Sequence, residues 1–411
     1  MSLIPSWVPG ANDPDGPFPL NNLPLGVVVH EGASRCAVAI GDHALDATAA
    51  EAAGLIELGG PLLSDDWTAF VAGGREMRLR LREQLTRLLA RDADRAAAPF
   101  LLPRAALTHR LPWRVSEFTD FYAGRHHAAN VGTMFRGPDD ALPPNWLHMP
   151  IGYNGRASSV VVSGHGVHRP YGQVARDGGP VLAASERFDF ELELGCILGP
   201  CPRSPLSVAE ARDAIFGYVL LNDWSARDLQ TWEYRPLGPF QSKATATTVS
   251  PWIVTAEAMA PFLRDAPARD APLLPHLADH GPAFPEIDLS VTLNARGADT
   301  VVSRTTSRHL YWSFPQMIAH HSSSGCPMRA GDLLGSGTVS GPERGSEGSM
   351  LELSWGGERA VALSDGGRRT FLKDGDRVTL DGAARGDGYT IGFGGCAGTV
   401  LPSGRKPGER S

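Results

Sequence analysis

Short apolar runs cut by Gly, Pro, Asn and Asp set the pattern along almost the whole chain. Leu25, Val27, Val28 and Val29 make one run, Cys36 to Ile40 a second, and Ala44-Leu45 a third after the turn Gly41-Asp42-His43. Strands this short and closely linked predict a small barrel or roll. Residues 75–90 have a different period. There Met77, Leu81, Leu85, Leu88 and Leu89 recur at helical spacing with Arg and Glu opposite, which predicts a surface helix packed on one face. Between Ala98 and Leu111 the period is lost and prolines intervene, which places a domain boundary there.

Beyond Pro112 the chain reads mainly as strands and Gly-rich turns: VVVSG, FDFELELGCILG, IFGYVLL, PWIVT, IDLSVTLNARG, GDLLGSGTVSG, SMLELSW and DGDRVTLDG. One helix is predicted from Ser313 to His321, whose His320 and His321 read as helix-end or core residues. Residues 260–283, rich in Ala, Pro and Asp, read as a surface loop. The predicted fold class is mainly β (α+β), with one domain over residues 1–111 and a larger one over 112–411. Length agrees, since 411 residues exceed one ordinary core. A formal charge of −7 without a basic stripe argues against nucleic acid as a partner. No stretch approaches the roughly 20 apolar residues that span a bilayer, and the opening MSLIPSWVPGANDPDG lacks the basic and apolar regions of a signal peptide. The five cysteines are scattered and odd in number, so neither a disulfide framework nor a zinc site is expected, and the cytoplasm is the default.

Chemistry concentrates where the apolar run Ile215 to Leu221 ends in Asn222-Asp223-Trp224. Arg227, Asp228, Gln230, Tyr234, Arg235 and Lys243 all follow before residue 244. Charges packed so densely after a buried strand are costly unless paired or used. Glu191 and Glu193 lie in an alternating segment, and positions i and i+2 of a strand share a face. With Asp223 they offer hard oxygen donors, which favour Ca²⁺ or Mg²⁺ over zinc. Asp120 and His127 stand seven apart, on one face if that segment is helical. Tyr122, Arg125, Asn130 and Arg136 beside them make a polar cluster suited to a ligand pocket. Tyr153 and Arg156 project from a Gly-rich turn. Glu352 sits between Leu351 and Leu353 in a predicted strand, where it either orients a histidine or faces solvent.

These segments resemble the fumarylacetoacetate hydrolase family over essentially the whole chain. The resemblance rests on DFYAGRHHAANVGTMFRG (120–137), MPIGYNGRASSVVVSG (149–164), FELELG (190–195), LNDWSARDLQTWEYRPLGPF (221–240), SGTVSGPE (336–343), GSMLELSW (348–355) and GDGYTIGFGGCAGTVLP (386–402). It implies a small N-terminal SH3-like barrel, a large C-terminal β-roll or mixed β-sandwich, and a homodimer. It also implies hydrolysis of the carbon–carbon bond of 4-fumarylacetoacetate to fumarate and acetoacetate, the last step of tyrosine and phenylalanine breakdown. By the same resemblance Asp120, Glu191, Glu193 and Asp223 look like ligands of Ca²⁺, with Mg²⁺ near Asp223, Lys243 and Thr247. His127 looks like the general base with Glu352 as its partner, and Arg227, Gln230 and Lys243 like the oxyanion-stabilising groups. Tyr122, Arg136, Tyr153, Gln230, Tyr234 and Thr338 match substrate-contacting positions. The chain departs from the family at Ala246, where Gly is usual, and at Gln241-Ser242 before Lys243. Relatives that hydrolyse acylpyruvates, or decarboxylate or isomerise oxo acids, share the carboxylate site but generally lack the N-terminal domain and the WEYRPLGPF segment. A catalytically silent homologue would be expected to have lost His127, Glu352 or Lys243.

Overall fold

The computed structural model describes residues 2–201 and 203–408. Near the N-terminus a five-stranded antiparallel sheet runs in the order Leu101–Pro103, His43–Asp46, Ala33–Ile40, Leu25–His30, Thr108–Arg110. The helix expected over 75–90 spans Gly74–Leu89 and buries Leu81, Leu85 and Leu89, as its period dictates. Its polar face is not all solvated. Arg78 is buried, donates to Glu257 at 2.7 Å and lies 5.2 Å over the Phe216 ring, so it clamps the helix onto the later part of the chain.

A mixed eight-stranded sheet carries the rest. Its order is Gly152–Asn154, Phe118–Phe121, Leu333–Gly335, Leu192–Leu198, Ile215–Asp223, Thr247–Val249, Val160–Val162, with Val254–Thr255 paired to Ile215–Asp223. Both faces are apolar at its centre because both are covered. Ile197, Val219, Leu221, Val249 and Leu333 pack in one core with Trp67, Phe70 and Leu81 of the N-terminal part. Leu194, Cys196, Tyr218, Leu220 and Leu334 point the other way, into a core shared with Val291 and Leu380. Those last two belong to a second sheet, in the order Ala298–Thr306, Asp288–Ala295, Arg377–Arg385, Cys396–Leu401, Gly166–His168.

The alternation then places the site. Following the first face two residues at a time toward one end of the sheet, Phe118 leads to Asp120, Leu333 to Gly335, Leu221 to Asp223, Val249 to Thr247, and Ile197 through Gly195 to Glu193. Four of these five neighbouring strands thus switch from apolar to polar together, and the fifth ends in the bare backbone of Gly335. A one-residue slip in any of the four would turn its polar group into the opposite core.

Two local expectations change. Asp120 and His127 do not share a helix. Asp120 is on the strand Phe118–Phe121, and His127 is on the helix Arg125–Arg136 that follows Gly124. Glu352 is not on a strand either. Met350–Leu353 is a helical turn whose N-cap Ser349 accepts a hydrogen bond from the Glu352 N–H. That turn carries the capping pattern Ser-x-x-Glu, which a four-residue apolar alternation masks. The helix expected at 313–321 is Phe314–Ser322, capped by Ser313.

Candidate active site

The carboxylates of Asp120, Glu191, Glu193 and Asp223 are all buried, and one oxygen from each lies within 4.8 Å of the others. Burial pushes the Asp120 carboxyl well above the usual range, and Asp223 adds to it. Glu193 is driven up in the same way, by burial first and then by Asp120, Glu191 and Asp223. Burial pushes Glu191 upward too, but Lys243 and then Arg227 outweigh it and hold it at about 2. The Lys243 ammonium bridges Glu191 and Asp223, at 2.8 Å from the latter. Glu193 Oε1 has no hydrogen-bond partner although buried. An oxygen-only donor set with an orphaned carboxyl oxygen fits a hard divalent cation held by these four residues. Thr247 Oγ1 lies 3.3 Å from Asp223 Oδ1, at the edge of the same cluster.

His127 stands beside this cluster. Its Nδ1 is 2.6 Å from Glu352 Oε2, while the neighbouring His126 packs edge-on against His309 instead. Glu352 also accepts from Asn130 at 2.9 Å, Ser340 at 3.0 Å and Ser349 at 2.8 Å. Burial raises the Glu352 carboxyl, but His127 and these donors prevail and keep it below its ordinary value. An ionised Glu352 fixes the proton on Nδ1, so Nε2 is left as an acceptor. Tyr122 packs edge-on against the imidazole at 5.4 Å and limits its rotation.

A cavity of about 490 Å³ opens over both groups. The sequence-predicted residues Tyr122, Arg136, Tyr153, Gln230, Tyr234 and Thr338 all line it. Tyr153 donates to Asp223 at 2.8 Å, and Thr338 Oγ1 is buried without a partner. Arg136 donates to the carbonyls of Asp140 and Ala141, which fix the guanidinium on the cavity wall. Arg227 is held by Glu191 and Asp189 while its Nη2 has no partner. Its Nη1 donates to Gln230 Oε1 at 3.3 Å, which turns the Gln230 amide nitrogen away as a free donor. The Glu233 carboxylate accepts the backbone N–H groups of Phe240, Gln241 and Ser242, closing the loop that carries Tyr234 to the cavity mouth and Lys243 to the carboxylates. Phe135, which sequence reasoning passed over, stacks on Tyr234 there. Arg156 is outside this cavity lining.

Two glycines make the carboxylate site possible. A Cβ on Gly335 would fall 2.3 Å from Asp120 Oδ1 and 3.0 Å from Glu193 Oε2, so the two carboxylates meet over a bare backbone. Gly337 takes φ of +75°, and its N–H donates to Asp120 at 3.2 Å and Glu193 at 3.0 Å. Gly335→Ala is therefore expected to weaken divalent-cation binding about tenfold through displaced carboxylates, an overpacking effect of roughly 1–3 kcal/mol. Titration calorimetry would sink this view by returning the wild-type affinity. Ala246, in contrast, is buried and is not among the residues of positive φ. Its methyl group imposes no backbone strain.

Comparison with known proteins covers both parts of the chain. The family model described as fumarylacetoacetase N-terminal matches residues 21–112, and that described as fumarylacetoacetate hydrolase C-terminal matches residues 117–401. Fumarylacetoacetase of Bos taurus is 45% identical over 97% of this chain and 99% of its own length. That of Arabidopsis thaliana is 44% identical over 98% of this chain and 100% of its own. Among solved structures, a fumarylacetoacetate hydrolase from Exiguobacterium antarcticum aligns with a TM-score of 0.56 at 17% identity, over 92% of this chain and 99% of that one. A maleylpyruvate hydrolase from a Sphingobium species aligns at 0.52 with 19% identity, over 92% and 100%. At such identities these structures share the fold.

Proposed function

This chain belongs to the fumarylacetoacetate hydrolase family, and from that premise we propose how its residues hydrolyse fumarylacetoacetate to fumarate and acetoacetate. The protein is a hydrolase acting on a carbon–carbon bond. The observation that carries the residue roles is the His127–Glu352 pair at 2.6 Å beside four clustered carboxylates.

His127 Nε2 takes a proton from a water molecule, and the hydroxide formed attacks the fumaryl ketone carbon. Glu352 stabilises the imidazolium that results. The ketone oxygen becomes an oxyanion, for which Arg227 Nη2, the Gln230 amide and the remaining Lys243 N–H are fixed donors. The bond to the neighbouring methylene carbon then breaks, and its electron pair is taken up as the enolate of acetoacetate. Proton return from His127 to that carbon completes the products. Asp120, Glu191, Glu193 and Asp223 would hold a divalent cation, Ca²⁺ in our assignment, which when bound supplies Lewis-acid charge to ketonic oxygen. Mg²⁺ beside Asp223, Lys243 and Thr247 is the second cation we assign. Arg136 suits a carboxylate end of the substrate, with Tyr122, Tyr153, Tyr234 and Thr338 bounding the rest.

We retain the division at 111/112, which the end of the five-stranded sheet at Arg110 supports. A homodimer is proposed, supported by the exposed apolar side chains of Val181, Leu182 and Trp232. A reducing, cytoplasmic setting is proposed from the five free thiols, three of them buried. No helix among the described residues is long and apolar enough to cross a membrane.

Turnover of fumarylacetoacetate, followed by its ultraviolet absorbance and by enzymatic assay of fumarate, tests the reading. Stoichiometric fumarate and acetoacetate are expected. An inert fumarylacetoacetate with acylpyruvates consumed instead would move the reaction to another diketo acid.

A further inference from the structure

The acids of this strand segment number three, at positions i, i+2 and i+4: Asp189, Glu191 and Glu193. Asp189 is outside the four-carboxylate cluster and fully buried. All four of its contacts are donors. Oδ1 accepts the N–H of Phe190 at 2.8 Å and of Met350 at 2.7 Å. Oδ2 accepts the N–H of Leu351 at 3.0 Å and Arg227 Nε at 2.8 Å. One carboxylate therefore holds two things at once: the guanidinium of Arg227 and the backbone of the turn that carries Glu352. Neither element touches the other in sequence, since Asp189, Arg227 and Met350 come from three separate stretches of chain.

The consequence is geometric. Arg227 and His127 both line the cavity, and Glu352 holds the His127 ring there. With four donors on two oxygens, no acceptor is left for a carboxylic proton, so the group acts as an anion that fixes both directions. Glu191 also holds Arg227, but through Nη1, and is itself a proposed cation ligand. Asp189 has no such second task. We propose that Asp189 is a positioning residue for the hydrolysis, locking the oxyanion-binding Arg227 and the Glu352–His127 pair into one frame. This inference rests on the roles given to those residues above.

Asp189→Asn keeps the shape, removes the charge and replaces one acceptor by an NH₂ that opposes two donors. A misplacement of catalytic groups by about 1 Å costs on the order of 100-fold. Steady-state turnover of Asp189→Asn is therefore expected to show kcat about 100-fold lower, with KM within about threefold of wild type, and calorimetric cation affinity unchanged. In an Arg227→Gln background, where one of the two held groups is already lost, the same substitution is expected to cost only about tenfold, because residues acting as a unit are non-additive. A wild-type kcat, or the full 100-fold loss repeated in the Arg227→Gln background, would overturn the proposal. If Asp189→Asn is not recovered folded, Asp189→Ser, which leaves room for a water, carries the same comparison. Should the wild-type protein leave fumarylacetoacetate untouched, the assigned reaction fails, and the Asp189 comparison is read on whichever diketo acid it does consume.

Discussion

Replacing His127 by glutamine is expected to lower kcat by about 10³-fold, within the range that a positioned general base contributes. Two features of the site make the effect large. The first is the fixed tautomer: Glu352, ionised by donors from Asn130, Ser340 and Ser349, leaves only Nε2 of the imidazole to accept a proton. The second is location, because the imidazole is buried on the wall of the cavity that also holds the carboxylates. Glutamine can still donate to Glu352, so no buried charge is stranded and the fold should survive. Thermal unfolding within a few degrees of wild type and an unchanged cation isotherm should accompany the kinetic loss. The sharper control is His126→Gln, one residue earlier, which should leave kcat within about twofold, since surface-side substitutions away from a site are near neutral. If His127→Gln hydrolyses at the wild-type rate, the dyad is structural only.

That distinction between adjacent histidines was not fully legible in the sequence. Patterning alone placed His127 and Asp120 on one hypothetical helix, whereas a strand and a helix bring them to the same cavity. The reason is that a short polar stretch after a four-residue strand carries too little periodicity to reveal where strand ends and helix begins. Glu352 was misplaced for a related cause. Leu351-Glu352-Leu353 alternates like a strand, and only the Ser349 cap three residues earlier marks the helical turn. What alternation did reveal was the i, i+2 pair Glu191 and Glu193, because both faces of their strand are constrained by cores. The glycine beneath Asp120 and Glu193 was invisible. Nothing about Gly335 distinguishes it from other turn glycines until Asp120 and Glu193 are seen to meet over it. Asp189 escaped likewise, since its partners lie at Arg227 and at Met350 and Leu351.

Removing divalent cations with EDTA should abolish turnover, and Glu193→Gln should reproduce most of that loss at ordinary cation concentrations. Outer-shell partners of a metal are worth about 10–100-fold in affinity, so losing Glu193 itself should cost more than about 100-fold in calorimetry. The pH dependence carries an independent sign. Asp120 and Glu193 titrate above their unfolded values, so the cation-free native state binds more protons than the unfolded chain. Their effect on stability is thus fully favourable below about pH 4, where unfolded carboxylates titrate, and is lost as pH rises through the raised native values. Glu191 runs oppositely: held at about 2 against an ordinary 4.5, it contributes stability that is complete above pH 4.5 and lost only in acid. Above pH 5, therefore, of these three groups only the raised pair should change, and its contribution to the stability of the cation-free protein should fall progressively toward pH 8. A bound cation takes the place of those protons, so the increase in Tm on adding Ca²⁺ should grow over the same interval. Glu193→Gln removes one of the two raised groups. Its cation-free melting curve should be flatter with pH, and the Ca²⁺ increment smaller at every point. An EDTA-treated wild type with undiminished activity and a pH-independent Ca²⁺ increment would show that the four carboxylates are satisfied by protons and Lys243 alone.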